Sequence, residues 1–338
     1  MPGLTQSNTS TGARESLSDT LFEYNAQETP LYSMLKKTTG GGNPVEQWPA
    51  DTEGVSTGRG KKDNTPTPAT TNQSDNYGLL EALYHWWEDA VSVGKKAEAL
   101  VNRAGVSKRK LFARELTKVF AAQKTRIDRN LGDDTDQREE GSEGSETRGI
   151  GSWISSNAQG TRPVPEKFRP PAGAIQNPAF ADIREETFED ILEALHYETG
   201  TTPRYTGLFG MALKRLVSSW SAYAPDKASH SVVRQFNSDR KTRALTKVID
   251  LLEYSEGTIE IHTSRNLGWS RDFTKNTAMS TASKRRGYIL TLEDFELKTA
   301  QKQQYTPLPP DGGGKRGQID ALMSLCGTPK RSGKIVPS

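Results

Sequence analysis

The sequence predicts an α+β fold, and three observations lead to this prediction. Segments with helical periodicity and segments that alternate like strands follow one another without a strand–helix–strand rhythm, which disfavours a doubly wound parallel sheet. Hydrophobic residues make up only 33% of the 338 residues, which is low for a globular chain. The mean hydropathy is −0.73. We therefore expect a core of limited size, with much of the chain lying in water or on another molecule.

Charge and cysteine content exclude several classes of protein. The 45 basic and 42 acidic residues give a formal charge of +3, whereas a dedicated nucleic-acid binder carries a strong basic excess. Because Cys326 is the single cysteine, neither an intrachain disulfide nor a thiolate zinc cluster can form within one chain. The sequence has no apolar run of the roughly 20 residues that a membrane span needs. We expect no membrane partner and no export by the usual route.

The N-terminal quarter is polar and cannot build a core of its own. Residues 1–20 are rich in serine, threonine and glycine, the composition of an arm that becomes ordered by docking. A short apolar segment over 21–35 is interrupted by Pro30 and followed by glycines at 40–42. Residues 43–76 contain few apolar side chains. They could form paired strands, but only on a neighbouring surface.

Residues 107–131, SKRKLFARELTKVFAAQKTRIDRNL, predict a long helix of about 37 Å at 1.5 Å per residue. Ser107 is suited to cap its start and Gly132 to follow its end. A stripe at helical spacing marks the face that packs; it consists of Phe112, Leu116, Val119, Phe120, Gln123 and Ile127. The outer face is basic, with Lys108, Arg109, Lys110, Arg114, Lys118, Lys124, Arg126 and Arg129.

An acidic segment follows this helix directly. Residues 133–146 hold seven carboxylates and one arginine, and we expect a flexible loop. Three interpretations remain open: two independent solvated surfaces, an acidic loop that meets the basic helix of the next copy, or a helix that binds phosphates.

Further elements follow from periodicity and from turn residues. The segment 187–198 predicts an amphipathic helix that Thr187 caps and Gly200 ends, and 206–220 predicts a second helix. The proline-rich segment 160–178 is expected to be irregular. Three segments predict β-strands, at 258–262, 287–297 and 319–326, and 248–254 is a short apolar run.

No set of residues has the pattern of an active site or a metal centre. Metal-binding spacings are absent among the four histidines, which are His85, His196, His230 and His262. Cys326 lies among apolar residues and is expected in the core rather than as a nucleophile. We therefore expect no enzyme activity and no cofactor.

Two other motifs have structural interpretations. The stretch GGGKRG at 312–317 lacks the serine or threonine that follows the lysine of a phosphate-binding loop, and it predicts a linker. Trp86 and Trp87 could stack on nucleic-acid bases, but burial in a strand or at a subunit contact is the favoured interpretation.

The order of the motifs resembles that of tailed-bacteriophage major capsid proteins with the Hong Kong 97 type of fold, in particular the group typified by the phage SU-ten major capsid protein. The matching segments begin with ETPLYSMLKK at 28–37, VEQWPADT at 45–52 and R-x-K-K-x-N-T at 59–65. They continue with the long basic helix, RGIGSWISSN at 148–157 and TFEDILEALHYETG at 187–200. The last are EYSEGTIEIHTSRNLG at 253–268, GYILTLEDFELKTA at 287–300 and the final LMSLCG.

The resemblance implies five regions along the chain. These are an N-terminal arm at 1–42, an extended loop at 43–94, a peripheral domain at 95–199 with the spine helix at 107–131, an axial domain at 200–286, and return strands with the C-terminal segment at 287–338. Arm and loop would obtain their burial from neighbouring subunits, which agrees with the low apolar content.

The resemblance also implies a function. Copies of the chain would associate as hexamers and pentamers into an icosahedral shell of the virion, assembled in the host cytoplasm. The shell would enclose double-stranded DNA without sequence-specific binding, which a nearly neutral chain suits. A portal and decoration or scaffolding proteins are implied partners. The alternative from another class is a nucleic-acid-binding protein that uses helix 107–131, and a portal or decoration protein is a further possibility.

Ten residues are candidates for contacts between subunits, either because they lie in the extended loop or because their charges would pair between copies. They are Trp48, Arg59, Lys61, Lys62, Arg114, Lys118, Asp133, Asp134, Glu139 and Glu140.

Overall fold

A computed structural model describes residues 29–52, 77–97, 111–200, 204–220, 249–268, 281–310 and 314–337. The predictions for the arm at 1–20, for most of the loop at 53–76 and for the helix cap Ser107 lie outside these residues.

Helices of very different length are spread along the described residues. The longest is α2, and its bounds reproduce the predicted spine helix from Leu111 onward. The helices are α1 (Pro30–Met34), α2 (Leu111–Leu131), α3 (Ile150–Trp153), α4 (Glu185–Thr199), α5 (Met211–Trp220) and α6 (Thr281–Arg285).

Within the described residues the strands form three sheets with mixed strand directions. The strands are β1 (Lys36–Thr39), β2 (Val45–Ala50), β3 (Gly78–Leu83), β4 (His85–Val93), β5 (Ile175–Gln176), β6 (Arg204–Phe209), β7 (Leu251–Tyr254), β8 (Gly257–Thr263), β9 (Gly287–Leu290), β10 (Phe295–Leu308), β11 (Lys315–Gly327) and β12 (Gly333–Ile335). One sheet has the order β1-β10-β11-β4, the second β5-β12-β9-β6-β8-β7, and β2 and β3 form an antiparallel pair. Parallel pairs such as β6 with β8 occur beside antiparallel ones such as β6 with β9.

The chain divides into two compact units. The described part of the smaller unit comprises 88–97, 111–122, 305–310 and 314–319. In it Phe112 and Tyr305 meet edge to face, with ring centroids 6.0 Å apart. The apolar residues of α2 in this unit are only half-buried.

The larger unit contains two hydrophobic clusters. The first joins α1, α3 and the end of α2, and its largest buried side chains are Trp87 and Trp153. In the second cluster, α4 lies against the six-stranded sheet through Phe188, Ile191, Leu192 and Leu195, the four apolar residues of its sequence pattern. Both clusters are fully buried at their centres.

The structure corrects the predicted start of α4, whereas α4 ends before Gly200 and α2 before Gly132, as predicted. Arg184 rather than Thr187 is the cap residue of α4, and Thr187 lies in the first turn, where its hydroxyl accepts a hydrogen bond from the Arg184 amide. Gly200 follows α4 in the left-handed conformation, with φ of 63°, as predicted. Gly132 does not have positive φ. Glycine fits there because a Cβ atom would lie 3.0 Å from the Asn266 carbonyl oxygen.

The prediction of a helix over 206–220 is wrong at its start. Residues up to Phe209 form β6, and the helix begins only at Met211. Strand β6 lies between β8 and β9 and buries nearly every side chain, so its sequence lacks the alternation by which a half-exposed strand is recognised. A Cβ atom at Gly210 would lie 2.4 Å from the Lys284 carbonyl oxygen, and this close approach marks the boundary between strand and helix.

The C-terminal predictions need two further corrections. The single strand expected over 287–297 is two strands, β9 and β10, separated by a 3₁₀ turn at Leu292–Asp294. Asp294 is held there by Arg331, whose Nε lies 2.9 Å from its carboxylate. The linker expected at 312–317 is in part a strand, because β11 begins at Lys315.

Candidate subunit-contact surfaces

The described residues include seven of the ten predicted contact residues. Arg59, Lys61 and Lys62 lie outside them. The other seven fall on three features: the β2–β3 hairpin, the first half of α2 and the acidic segment after α2.

The β2–β3 hairpin has an inner face that packs on its own subunit. Trp48 is half-buried, and its ring centroid lies 5.9 Å from that of Trp153. Beside it, the Glu46 carboxylate accepts hydrogen bonds from Lys298 Nζ at 2.8 Å and from the Tyr84 hydroxyl at 2.9 Å. Burial would raise the pKa of Glu46, but these bonds and one from the Gly41 amide outweigh it and lower the pKa. The hairpin base is thus fixed on the larger unit.

The outer face of the hairpin is apolar and exposed. Leu79 is 52% exposed, and Tyr77, two residues earlier, is 54% exposed. Leu80, whose side chain points to the opposite face of the strand, is buried. Pro49 is the cross-strand partner of Leu79 and is also exposed. We call Tyr77, Leu79 and Pro49 the hairpin outer face. Within this face, Leu79 borders a groove of about 430 Å³ that Val164 and Arg162 also line.

The sequence did not show which residues of the hairpin face the subunit and which are exposed. The sequence analysis selected Trp48 as a contact residue, but that side chain faces its own subunit. It did not select Tyr77 and Leu79. The available signal was the alternation of Tyr77, Leu79 and Glu81 with Gly78, Leu80 and Ala82 in a short strand.

The acidic segment is folded, so the expectation of a flexible loop is wrong. Arg138 and Glu146 exchange backbone hydrogen bonds of 3.1 and 2.9 Å. Asp133 is 1% exposed and accepts a hydrogen bond from the Thr135 amide. Asp134 pairs with Arg286 and accepts a hydrogen bond of 3.1 Å from the Tyr288 hydroxyl.

Asp133 and Asp134 therefore both form contacts within their own subunit, Asp133 being buried and the Asp134 side chain 31% exposed. Their selection as contact residues stays a prediction. A related pair lies deeper. Arg148 is 1% exposed, its Nε lies 2.6 Å from Asp136 Oδ1, and its guanidinium lies 4.7 Å from the Trp153 ring centroid. Sequence analysis missed this pair because the two residues are 12 positions apart in an irregular segment.

Three further acids of the segment, Glu139, Glu140 and Glu143, are accessible. Glu139 is 54% exposed and pairs with Arg162 Nε at 2.7 Å, and Arg162 also pairs with Glu81 on β3. Glu140 is exposed. Glu143 is 68% exposed beside Arg138. These carboxylates leave an acidic edge on the larger unit.

The first half of α2 presents basic side chains. Arg114 and Lys118 both lie 3.3 Å from Glu115, and Lys118 is 51% exposed. Glu115 therefore forms ion pairs with both cations. Because exposed ion pairs of this kind contribute little to stability, both cations can form other contacts.

A metal centre and a reactive thiol each have requirements against which the described residues can be compared. Within those ranges no group of histidine, cysteine and acidic residues could hold a metal ion. Cys326 is 1% exposed, and burial raises the pKa of its thiol to about 12, so the prediction of a core residue is confirmed. None of the described helices is long and apolar enough to cross a membrane.

The tryptophans of β4 differ from each other. Trp87 is fully buried and stacks on His85, with ring centroids 4.1 Å apart. Trp86 is 58% exposed.

A family model matches nearly the whole chain. The family model described as SU10 major capsid protein matches residues 4–336. No curated protein matches the sequence.

Several solved structures share the fold. A chain of the cyanophage A-1(L) capsid asymmetric unit aligns with 98% of this chain and 99% of its own length, at 14% identity and a TM-score of 0.65. A chain of the cyanophage P-SCSP1u capsid covers 98% and 94%, at 9% identity and a TM-score of 0.61. A chain from Mycobacterium phage Bobi covers 100% and 99%, at 10% identity and a TM-score of 0.57. These matches confirm the α+β prediction and the resemblance to the Hong Kong 97 type of fold.

Proposed function

We propose that this chain, which belongs to the SU10 major capsid protein family, forms its shell by the association of hexamers and pentamers of identical copies into an icosahedral head. The chain is a capsid protein and its place is the virion. The observation that supports assembly through copies is the exposed hairpin outer face, with Leu79 and Tyr77 more than half exposed. We further propose that the head encloses double-stranded DNA, is assembled in the host cytoplasm and has a portal and decoration or scaffolding partners. We expect no catalytic activity.

The division into regions belongs to this proposal. The arm at 1–42 and the extended loop at 43–94 would lie on neighbouring subunits. The spine helix would organise the peripheral domain at 95–199, residues 200–286 would form the axial domain, and 287–338 would return to the peripheral domain. The β2–β3 hairpin belongs to the extended loop in this division, and its fixed base and exposed apolar outer face suit an element that contacts a neighbour.

A second contact would join opposite charges of adjacent copies. The exposed acids Glu139 and Glu140 would face Arg114 and Lys118 on α2 of the next copy. Each pair would contribute roughly 0–1 kcal/mol, and symmetry repeats it at every interface of the same kind. The alternative interpretation, in which the acidic and basic surfaces are independent and both face water, predicts that reversing the charge of the acids does not change assembly.

The charge contact is tested by Glu139→Lys together with Glu140→Lys. We expect fewer shells at low salt and a smaller deficit at high salt, because screening weakens both the attraction and the new repulsion. The matched control is Asp190→Lys with Glu193→Lys, which makes the same change of charge on the exposed side of α4. Equal assembly of the two double variants at every salt concentration would remove this contact.

Assembly itself is tested by electron microscopy and sedimentation of the purified protein. The proposal expects megadalton particles with fivefold and sixfold capsomers, and little DNA affinity in the free subunit. A portal would give a dodecameric ring. A nucleic-acid-binding protein that uses the helix would give small oligomers with strongly salt-dependent DNA affinity. Either of these two results would contradict the proposal.

A further inference from the structure

Helix α1 is the first described element after residues 1–28, and it lacks a cap of its own. Thr29 precedes the helix but makes no side-chain hydrogen bond to it, and Pro30 occupies its first turn. A helix start without such a bond leaves amides unsatisfied. Leu31 and Tyr32 are buried, and buried amides are normally paired with an acceptor.

A carboxylate from a distant part of the chain takes this place. Asp128, near the end of α2, accepts a hydrogen bond of 2.7 Å from the Tyr32 amide and a second from the Leu31 amide. Its other oxygen accepts a hydrogen bond of 2.6 Å from Asn266 Nδ2. The side chain of Asp128 is therefore the acceptor that a capping residue normally supplies.

The position of this acid is itself unusual. An acidic side chain in the last turn of a helix is opposed by the negative end of the helix dipole. Asp128 is 1% exposed, so it is also removed from water. The helix dipole and burial both disfavour a carboxylate at this position. Asp128 nevertheless lies where α1, α2 and the loop after β8 meet, which indicates a role for its carboxylate at this junction.

Helix α1 has a second attachment to α2. Lys37 Nζ lies 3.9 Å from the centroid of the Tyr32 ring, and Lys124 Nζ lies 5.4 Å from it. This cation–π contact holds the exposed side of the ring. Loss of the carboxylate alone would thus loosen α1 without releasing every contact.

We propose that Asp128 caps helix α1 from outside and thereby holds this helix on the end of α2, and that acid strengthens this hold. The inference goes beyond assembly and concerns the unassembled subunit. The charged groups around the carboxylate are Arg129 on α2 and Arg265 in the loop after β8, with Lys37 and Lys124 across the Tyr32 ring.

The direction of the acid effect follows from burial. Burial raises the pKa of Asp128 to about 6 and outweighs the lowering by its three hydrogen bonds and by Arg129. When α1 is undocked, the carboxyl is solvated and titrates near its ordinary pKa of about 4. The docked state therefore binds the proton more tightly, and the docking equilibrium rises about tenfold from pH 7.5 to pH 5.

Hydrogen exchange of the α1 amides in the unassembled subunit tests the proposal, with rates corrected for the intrinsic effect of pH. In the wild type we expect about tenfold greater protection of α1 at pH 5 than at pH 7.5. Asp128→Asn retains an acceptor but cannot titrate, so its protection should not change with pH. Asp128→Ala should lower protection by about tenfold, the typical effect of removing a cap.

Glu140→Gln, a change at an exposed acid, is the control and should leave α1 unaffected. Equal protection of α1 in the wild type and Asp128→Ala would overturn the capping role. Greater protection of the wild type at pH 7.5 than at pH 5 would overturn the acid effect. Because no step requires shells, these results do not depend on whether the protein assembles as proposed.

Discussion

Removing Asp136 should destabilise the subunit more than any other single loss of an acid in the segment 133–146. Its partner Arg148 is 1% exposed, and the guanidinium retains one further hydrogen bond, of 2.7 Å, to the Arg162 carbonyl. Asp136→Ala therefore leaves a buried cation without its counter-charge, which costs about 3–5 kcal/mol. Since domains are typically stable by about 5–15 kcal/mol, the variant would lose a large fraction of its stability.

A double-mutant cycle separates the missing counter-charge from lost packing. Arg148→Met removes the buried cation and keeps much of the aliphatic volume against Trp153. We expect Asp136→Ala with Arg148→Met to be at least about 1 kcal/mol more stable than Asp136→Ala alone, because replacing both partners avoids an unpaired buried charge.

The assay is urea unfolding of the unassembled subunit, followed by tryptophan fluorescence. Glu140→Ala is the exposed control and should change the free energy of unfolding by less than about 0.5 kcal/mol. A cost below about 1 kcal/mol for Asp136→Ala, or a double variant less stable than Asp136→Ala, would refute the reasoning.

Three further predictions concern packing and reactivity. Gly151→Ala would place a Cβ atom 1.8 Å from Asp134 Oδ1; we expect a loss of about 1–3 kcal/mol in urea unfolding, and an unchanged midpoint would contradict the close approach. Trp87→Ala should cost about 3–5 kcal/mol because the side chain is fully buried, whereas Trp86→Ala, at an exposed site, should cost less than about 1 kcal/mol; similar costs would contradict the assigned faces. Cys326, whose pKa is raised to about 12 by burial, should resist iodoacetamide at pH 8 in the folded protein and react in urea, and rapid labelling of the folded protein would count against its burial.

Elements with a local pattern could be predicted from the sequence. The helix expected over 187–198 is α4, and the four apolar residues of its stripe are all fully buried. Periodicity suffices there because one helix face meets one core. The same reasoning located β8 and most of β11.

Where burial surrounds an element, the local pattern is ambiguous. Strand β6 has neighbours on both sides within its sheet and few exposed residues. Its sequence therefore shows a short apolar run without alternation, a pattern that is equally compatible with part of a helix. The 3₁₀ turn between β9 and β10 depends on the contact of Asp294 with Arg331. Arg331 is 37 residues away in the sequence, so the residues near the turn do not reveal this contact.

The candidate contact surfaces were predicted only in part. The acids after α2 were recognised as a group, but the sequence did not distinguish the inward Asp133 and Asp134 from the accessible Glu139 and Glu140. Their separation depends on Arg286 and Arg162, which come from distant segments. The alternation around Leu79 separates two strand faces, but which of them is exposed depends on the packing of Trp48 against the distant Trp153.

Electron cryo-microscopy of assembled shells tests the central claim most directly, at a resolution that shows side chains. The account predicts that Leu79 and Tyr77 of each subunit lie within about 4.5 Å of apolar atoms of an adjacent copy. Shells in which both side chains face solvent at every interface would contradict it.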